Sequence, residues 1–169
     1  STYLSLGAPE SAAAAWRPLA DRVFAPPVLS FASSPATNAA FGSALRAPLP
    51  PNVQLTTLQS LSEGKLLLRL SHQFAIDEDA TLSKPVLFDL STLFDPAAIV
   101  IKEAVELSLT ANQNASAIRA RRAAAAAAWR AEGGAAPPPH AWRSAHFDWA
   151  TNATVALGPL EIKTFELTI

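Results

Sequence analysis

An all-β fold, an antiparallel β-sandwich, is what this sequence predicts, and three observations carry the expectation. Leu66, Leu68, Leu70, His72 and Phe74 alternate with Leu67, Arg69, Ser71 and Gln73, the period of two that sends successive side chains to opposite faces of a sheet. Ser62-Glu63-Gly64-Lys65 precedes this run as a hairpin turn, and before the turn Val53, Leu55 and Thr57 alternate with Gln54, Thr56 and Leu58. At the far end Phe165, Leu167 and Ile169 share one face, and Thr164, Glu166 and Thr168 the other. Five or six such strands fit two packed sheets.

Residues 1–50 are rich in Ala, Ser and Pro and read as an extended segment that packs on a partner surface, with one strand at Val28–Phe31 behind the Pro26-Pro27 pair. The alternative over Ser11–Asp21 is one or two helical turns favoured by Ala12–Ala15 and ended near Pro18. Residues 51–169 then form the sandwich, with an insertion at about 115–140. Val86-Leu87-Phe88 starts a short strand after Pro85, and Ser91–Pro96 reads as a turn or a single helical turn capped by Ser91. Ile99, Ile101, Glu103, Val105, Leu107 and Leu109 share a face of one long strand, which Glu103 interrupts with a carboxylate. Within the insertion, Ile118–Glu132 holds six consecutive alanines and is either an ordered helix or a disordered, low-complexity stretch; Gly133-Gly134 and Pro137–Pro139 end it.

With 169 residues, half of them hydrophobic, the chain has ample material for a core. Charged residues are 16% of the total and sum to −1, without a basic stripe, so nucleic acid is not an expected partner. No apolar run approaches the roughly 20 residues that span a bilayer. Cysteine is absent, which removes disulfides and thiolate chemistry and leaves the compartment open. The chain opens on Ser1 and contains no methionine, which reads as a proteolytic cut within a longer product or as the edge of a fragment.

Five collinear motifs carry a resemblance. They are P-P-N-V-Q-L-T-T-L (Pro50–Leu58), L-L-L-R-L-S-H-Q-F-A-I-D-E-D (Leu66–Asp79), L-F-D-L-S-T-L-F (Leu87–Phe94), L-T-A-N-Q (Leu109–Gln113) and L-G-P-L-E-I-K-T-F (Leu157–Phe165), with a weaker match at V-F-A-P-P-V-L-S-F (Val23–Phe31). Together they resemble the C-terminal β-rich region of the acid or lysosomal α-mannosidases of glycoside hydrolase family 38. The first fifty residues match weakly, the Ala-rich insertion has no clear counterpart, and A-I-D-E-D is only similar to the family's loop.

The resemblance implies an enzyme that removes terminal α-mannose from glycans with retention of configuration. It also implies that the aspartate nucleophile, its carboxylic acid partner and the zinc belong to a catalytic domain on a partner chain or an N-terminal portion. This chain would then carry no catalytic residue and bind no metal itself. It would support that domain in a lysosome or vacuole, or outside the cell, with higher homo-oligomers open. A reading from another class is a free-standing carbohydrate-binding or cell-surface β-sandwich module.

The residues themselves offer little catalysis. A glycosidase needs two carboxyl groups facing across the scissile bond, and adjacent carboxylates such as Asp77, Glu78 and Asp79 usually diverge into solvent. His140, His146 and Asp148 are the only cluster of metal-ligand types, without a favourable spacing, beside the aromatics Trp142, Phe147 and Trp149. Those aromatics read as anchors on a neighbouring surface or as a sugar-stacking platform. His72 shares a face with Leu70 and Phe74 and reads as a satisfied core histidine. The sharper reading places Arg69, His72 and the Asp77-Glu78-Asp79 loop at an active-site rim or domain interface. Asn114-Ala-Ser116 and Asn152-Ala-Thr154 are N-glycosylation sequons, and their use would place the chain in the secretory pathway.

Overall fold

The computed structural model describes residues 2, 4, 6–25, 43–131 and 146–169. Among them run six strands: β1 (Val53–Ser62), β2 (Lys65–His72), β3 (Val86–Asp89), β4 (Glu103–Leu107), β5 (Thr154–Leu157) and β6 (Ile162–Thr168). They form a four-stranded sheet in the order β1-β2-β6-β4 and a two-stranded sheet of β3 and β5, with every pairing antiparallel. The all-β expectation holds, accompanied by two helices, α1 (Ala12–Phe24) and α2 (Ala115–Ala131).

The alternation in Leu66–Phe74 and Phe165–Ile169 explains the centre of the fold. Strands β2 and β6 pair without a slip from Lys65↔Thr168 to Ser71↔Ile162, which sets Leu68 opposite Phe165 and Leu66 opposite Leu167 on one face. Leu68, Leu70, Phe165 and Leu167 are completely buried there. They meet Val155 and Leu157 of the small sheet, Leu90, Leu93 and Phe94 of the turn after β3, and Phe147 in a single cluster. Phe147 and Phe165 pack edge to face at 4.9 Å between ring centroids, the orientation favoured by ring quadrupoles.

The hairpin turn falls where the sequence places it. Gly64 adopts φ 72°, a left-handed conformation open to glycine without a Cβ clash, and its carbonyl accepts the Ile169 N–H at 2.9 Å. In β1 a bulge breaks the simple alternation, because the register slips between Leu55 and Thr57. Leu55 lies opposite Leu70 and Leu58 opposite Leu68, so Leu58 shares the face of Leu55 instead of opposing it.

Further expectations are corrected. The long strand through Ile99–Leu109 is only Glu103–Leu107, because the chain bends at Lys102 and the alternation restarts. Ala104 lies opposite Leu167 and Glu106 opposite Phe165, so these two face the core side while Glu103, Val105 and Leu107 face away. The turn after β3 is capped by Asp89, whose carboxylate accepts the Ser91 N–H at 2.8 Å, and not by Ser91. Of the two readings of the N-terminal segment the helical one holds over Ser11–Asp21, but α1 spans thirteen residues and continues through Pro18 instead of ending near it. An interior proline costs about 3 kcal/mol, and the polar anchors on Arg17 and Asp21, either side of Pro18, help hold the helix.

Residues just before 51 also reach the core. Leu45 bridges to Phe94, the Arg46 N–H donates to the Leu93 carbonyl at 3.0 Å, and Leu49 packs against the core. The insertion forms α2 three residues before Ile118, since the Asn114 side chain accepts the Ser116 N–H at 2.9 Å and so caps the first turn. The expected strand at Val28–Phe31 and the Gly/Pro stretch at 133–139 lie outside the described residues.

Phe165→Ala is expected to cost about 3–5 kcal/mol, because it empties the contact shared by both sheets. Leu87→Ala, at a side chain 68% exposed, should stay within about 0.5 kcal/mol. Urea unfolding of the two variants checks this, and similar losses for both would contradict the assigned core.

Candidate functional site

The segment after β2 was singled out by its three carboxylates, and α1 clasps it. Arg17 on α1 donates from Nη2 to both carboxylate oxygens of Glu78 at 2.6 Å, and its guanidinium lies 5.1 Å from the centroid of the Phe74 ring. One turn on, the Asp21 carboxylate accepts from Gln54 Nε2 at 2.6 Å and from Gln73 Nε2 at 3.4 Å. No residue of α1 is fully buried, and these polar anchors tie the helix to the sheet.

The carboxylates have three different roles. Glu78 also accepts the Ala75 N–H at 2.8 Å, and this bond, followed by Arg17, holds its pKa below the ordinary carboxylate value. Asp79 accepts the N–H groups of Thr81 and Leu82 at 2.8 and 2.7 Å; the Leu82 and Thr81 amides depress its pKa in the same sense. Asp77 is exposed at φ 60°, a conformation Asp tolerates better than most side chains. One carboxylate therefore binds the helix, one closes its own loop and one faces solvent. None of the three faces another across a cleft as hydrolysis of a glycosidic bond requires.

His72 is a core histidine with partners for both ring nitrogens. Nδ1 lies 3.1 Å from the Phe74 carbonyl and 3.2 Å from the Phe74 N–H, while Nε2 lies 3.0 Å from the Lys84 carbonyl and 3.2 Å from Asn52 Nδ2. Each neutral tautomer thus finds one acceptor and one donor. Asn52 completes the tie by donating to the carbonyls of Leu82 and Lys84 at 3.1 and 3.3 Å. The pair pins the acidic loop to the ends of β1 and β2. Arg69 stands on the opposite face, where Nη1 reaches Thr57 Oγ1 at 3.5 Å, so it does not join His72 in one pocket.

Of the other candidates, Phe147 belongs to this chain's own core and not to an external platform, and half-buried Trp149 donates to the Lys102 carbonyl at 3.0 Å. Asp148 closes a turn by accepting from Thr151 Oγ1 and the Ala150 N–H; these bonds, the Thr151 one foremost, lower its pKa. His146 is exposed, and His140 and Trp142 lie outside the described residues. Among the described residues no group of three or more His, Cys, Asp or Glu side chains is arranged to hold a metal ion. Asn114 and Asn152 are both exposed, at the start of α2 and just before β5.

Sequence reasoning missed an ionic cluster at the β4–β6 edge. Glu106 accepts from Arg119 of α2 at 2.6 Å and lies 3.8 Å from Lys163 Nζ, a lysine only 3% exposed. Burial pushes the Lys163 pKa down, against the pull of Glu106 and Glu161. The signal was present in the spacing, since Lys163 falls in phase with Phe165 and Leu167 on the inward face. Arg17 and Asp21 had no comparable signal, because their partners lie 61 and 33 residues away.

No family model matches the chain. Its relatives are more informative. It is 33% identical over 172 residues to the α-mannosidase of Canavalia ensiformis, covering 98% of this chain. It is 38% identical over 168 residues to the lysosomal α-mannosidase of Homo sapiens, covering 92% of this chain, and 41% identical over 124 residues to that of Felis catus, covering 73%. The chain is an α-mannosidase-related region. It spans 17%, 15% and 11% of the lengths of those three proteins. The motifs that carry the resemblance to α-mannosidases hold β1, β2, β3 and the start of β6, the strands that organise both sheets.

Glu78→Gln is expected to lower stability near neutral pH by weakening the α1 clasp. Because the folded pKa is depressed, the contribution of Glu78 is present above its ordinary value of 4.5 and is lost as pH falls through the lower folded value. Urea unfolding of both proteins across this range should show the difference shrinking in acid. A difference larger in acid than at neutral pH would contradict the assignment.

Proposed function

We propose that this chain is the non-catalytic C-terminal β-sandwich portion of a zinc-dependent, retaining α-mannosidase of glycoside hydrolase family 38. Its role is to support the catalytic portion of that enzyme, which removes terminal α-mannose from glycans. The observation that carries the reading is the identity to α-mannosidases over as much as 98% of this chain against 17% of the relative's length. A region of that extent in a much larger enzyme has a defined place in it. The use of Glu78 and Asp79 in hydrogen bonds within this chain supports a structural role for the acidic loop.

In this reading the nucleophile, the acid and the zinc belong to the catalytic portion, and no step of the reaction runs through the residues described above. The exposed sequons at Asn152 and Asn114 take N-linked glycans, which fits passage through the secretory pathway to a lysosome, a vacuole or the exterior.

The test compares the longer α-mannosidase polypeptide with and without these residues, and the 169-residue chain by itself, on 4-nitrophenyl α-mannoside. The chain alone should release no nitrophenol, and its removal should abolish recovery of folded, active enzyme. Hydrolysis by the chain alone, or full activity without it, would overturn the proposal. Mass spectrometry of the secreted product should find glycan at Asn152 and Asn114.

A further inference from the structure

We propose that the groove between α1 and the β1–β2 end of the large sheet is a binding subsite for one pyranose ring of a glycan. The groove measures about 380 Å³ and is lined by Trp16, Asp21, Gln54, Gln73, Leu160 and Ile162 among others. Its two kinds of surface match the two kinds of surface on a sugar.

The apolar side comes first. Trp16 is 52% exposed, and no α1 residue is buried in the core, so a large part of its surface is left uncovered. Leu160 and Ile162, 61% and 46% exposed, belong to the same groove. An exposed indole with aliphatic neighbours offers a face for the C–H surface of a pyranose, which association removes from water.

The polar side is preorganised. The Asp21 carboxylate is fixed by Gln54 and Gln73, at 2.6 and 3.4 Å. Each amide retains a carbonyl oxygen as acceptor and a second N–H as donor, and a carboxylate has lone pairs beyond the two bonds it accepts here. Three planar groups held together can pair with adjacent hydroxyls, each of which donates once and accepts. A sugar ring with vicinal hydroxyls meets both requirements, whereas a purely apolar ligand would leave the carboxylate desolvated. The groove's carboxylate lacks a facing carboxylic acid among its lining residues, so the subsite binds and does not hydrolyse.

The inference does not depend on catalysis, and its failure leaves the proposed function standing. The experiment is saturation-transfer NMR on the 169-residue chain with an α-linked mannopentaose, and in parallel with maltopentaose, for the wild type, Trp16→Ala and Gln54→Leu/Gln73→Leu. Circular dichroism and hydrogen-exchange protection of α1 check that each variant keeps the fold with the helix docked. Transfer to a pentasaccharide in the wild type, weakened roughly tenfold or more in both variants, is the expected result. The pentasaccharide that responds names the source of the sugar. Absence of transfer to both, or transfer that survives Trp16→Ala in a folded protein, overturns the proposal.

Discussion

The slip-free pairing of β2 with β6 is the constraint on which the structure rests. These two strands are central in the large sheet, and their inward apolar residues share one core cluster with the small sheet and the turn that follows β3. A shift of one residue in this pairing would turn Leu68, Leu70, Phe165 and Leu167 away from the core cluster and bring polar residues such as Arg69 to it. The completely buried leucines and phenylalanine make that exchange prohibitive. The same register brings Glu106 opposite Phe165 and within reach of Lys163, so the ionic cluster at the edge of the sheet follows from the hydrophobic pairing.

The strands were legible where the sequence alternates over a long, uninterrupted run, as in Leu66–Phe74 and Phe165–Ile169. They were misread where one residue breaks the count. The bulge between Leu55 and Thr57 and the bend at Lys102 each reverse which side chains face inward, and neither position carries a glycine or proline as a marker. Helix α1 was obscured for a related reason. Pro18 argues locally for an end, and the contacts that outweigh it come from Gln54, Gln73 and Glu78, far along the chain.

The candidate site was partly visible. His72 behaves as its position between Leu70 and Phe74 foretold, and the side chains of Arg69 and His72 lie on opposite faces as alternation requires. What the sequence could not show is the destination of each carboxylate. Local spacing hints at Asp79 closing its own loop, since its acceptor bonds are two and three residues away. The Glu78–Arg17 pair exists only once α1 has packed on the sheet.

These features describe a region whose polar side chains are largely committed to holding it together. Under the function proposed above, the most direct test of that account is the turnover number of an α-mannosidase that includes this region and carries Asp77→Asn, Glu78→Gln and Asp79→Asn together, normalised to folded enzyme. A structural acidic loop predicts a turnover number within roughly twofold of the unaltered enzyme, with a lower melting temperature. Loss of about a hundredfold or more, the scale of a missing general acid or base, with folding intact would contradict it and place chemistry in this chain.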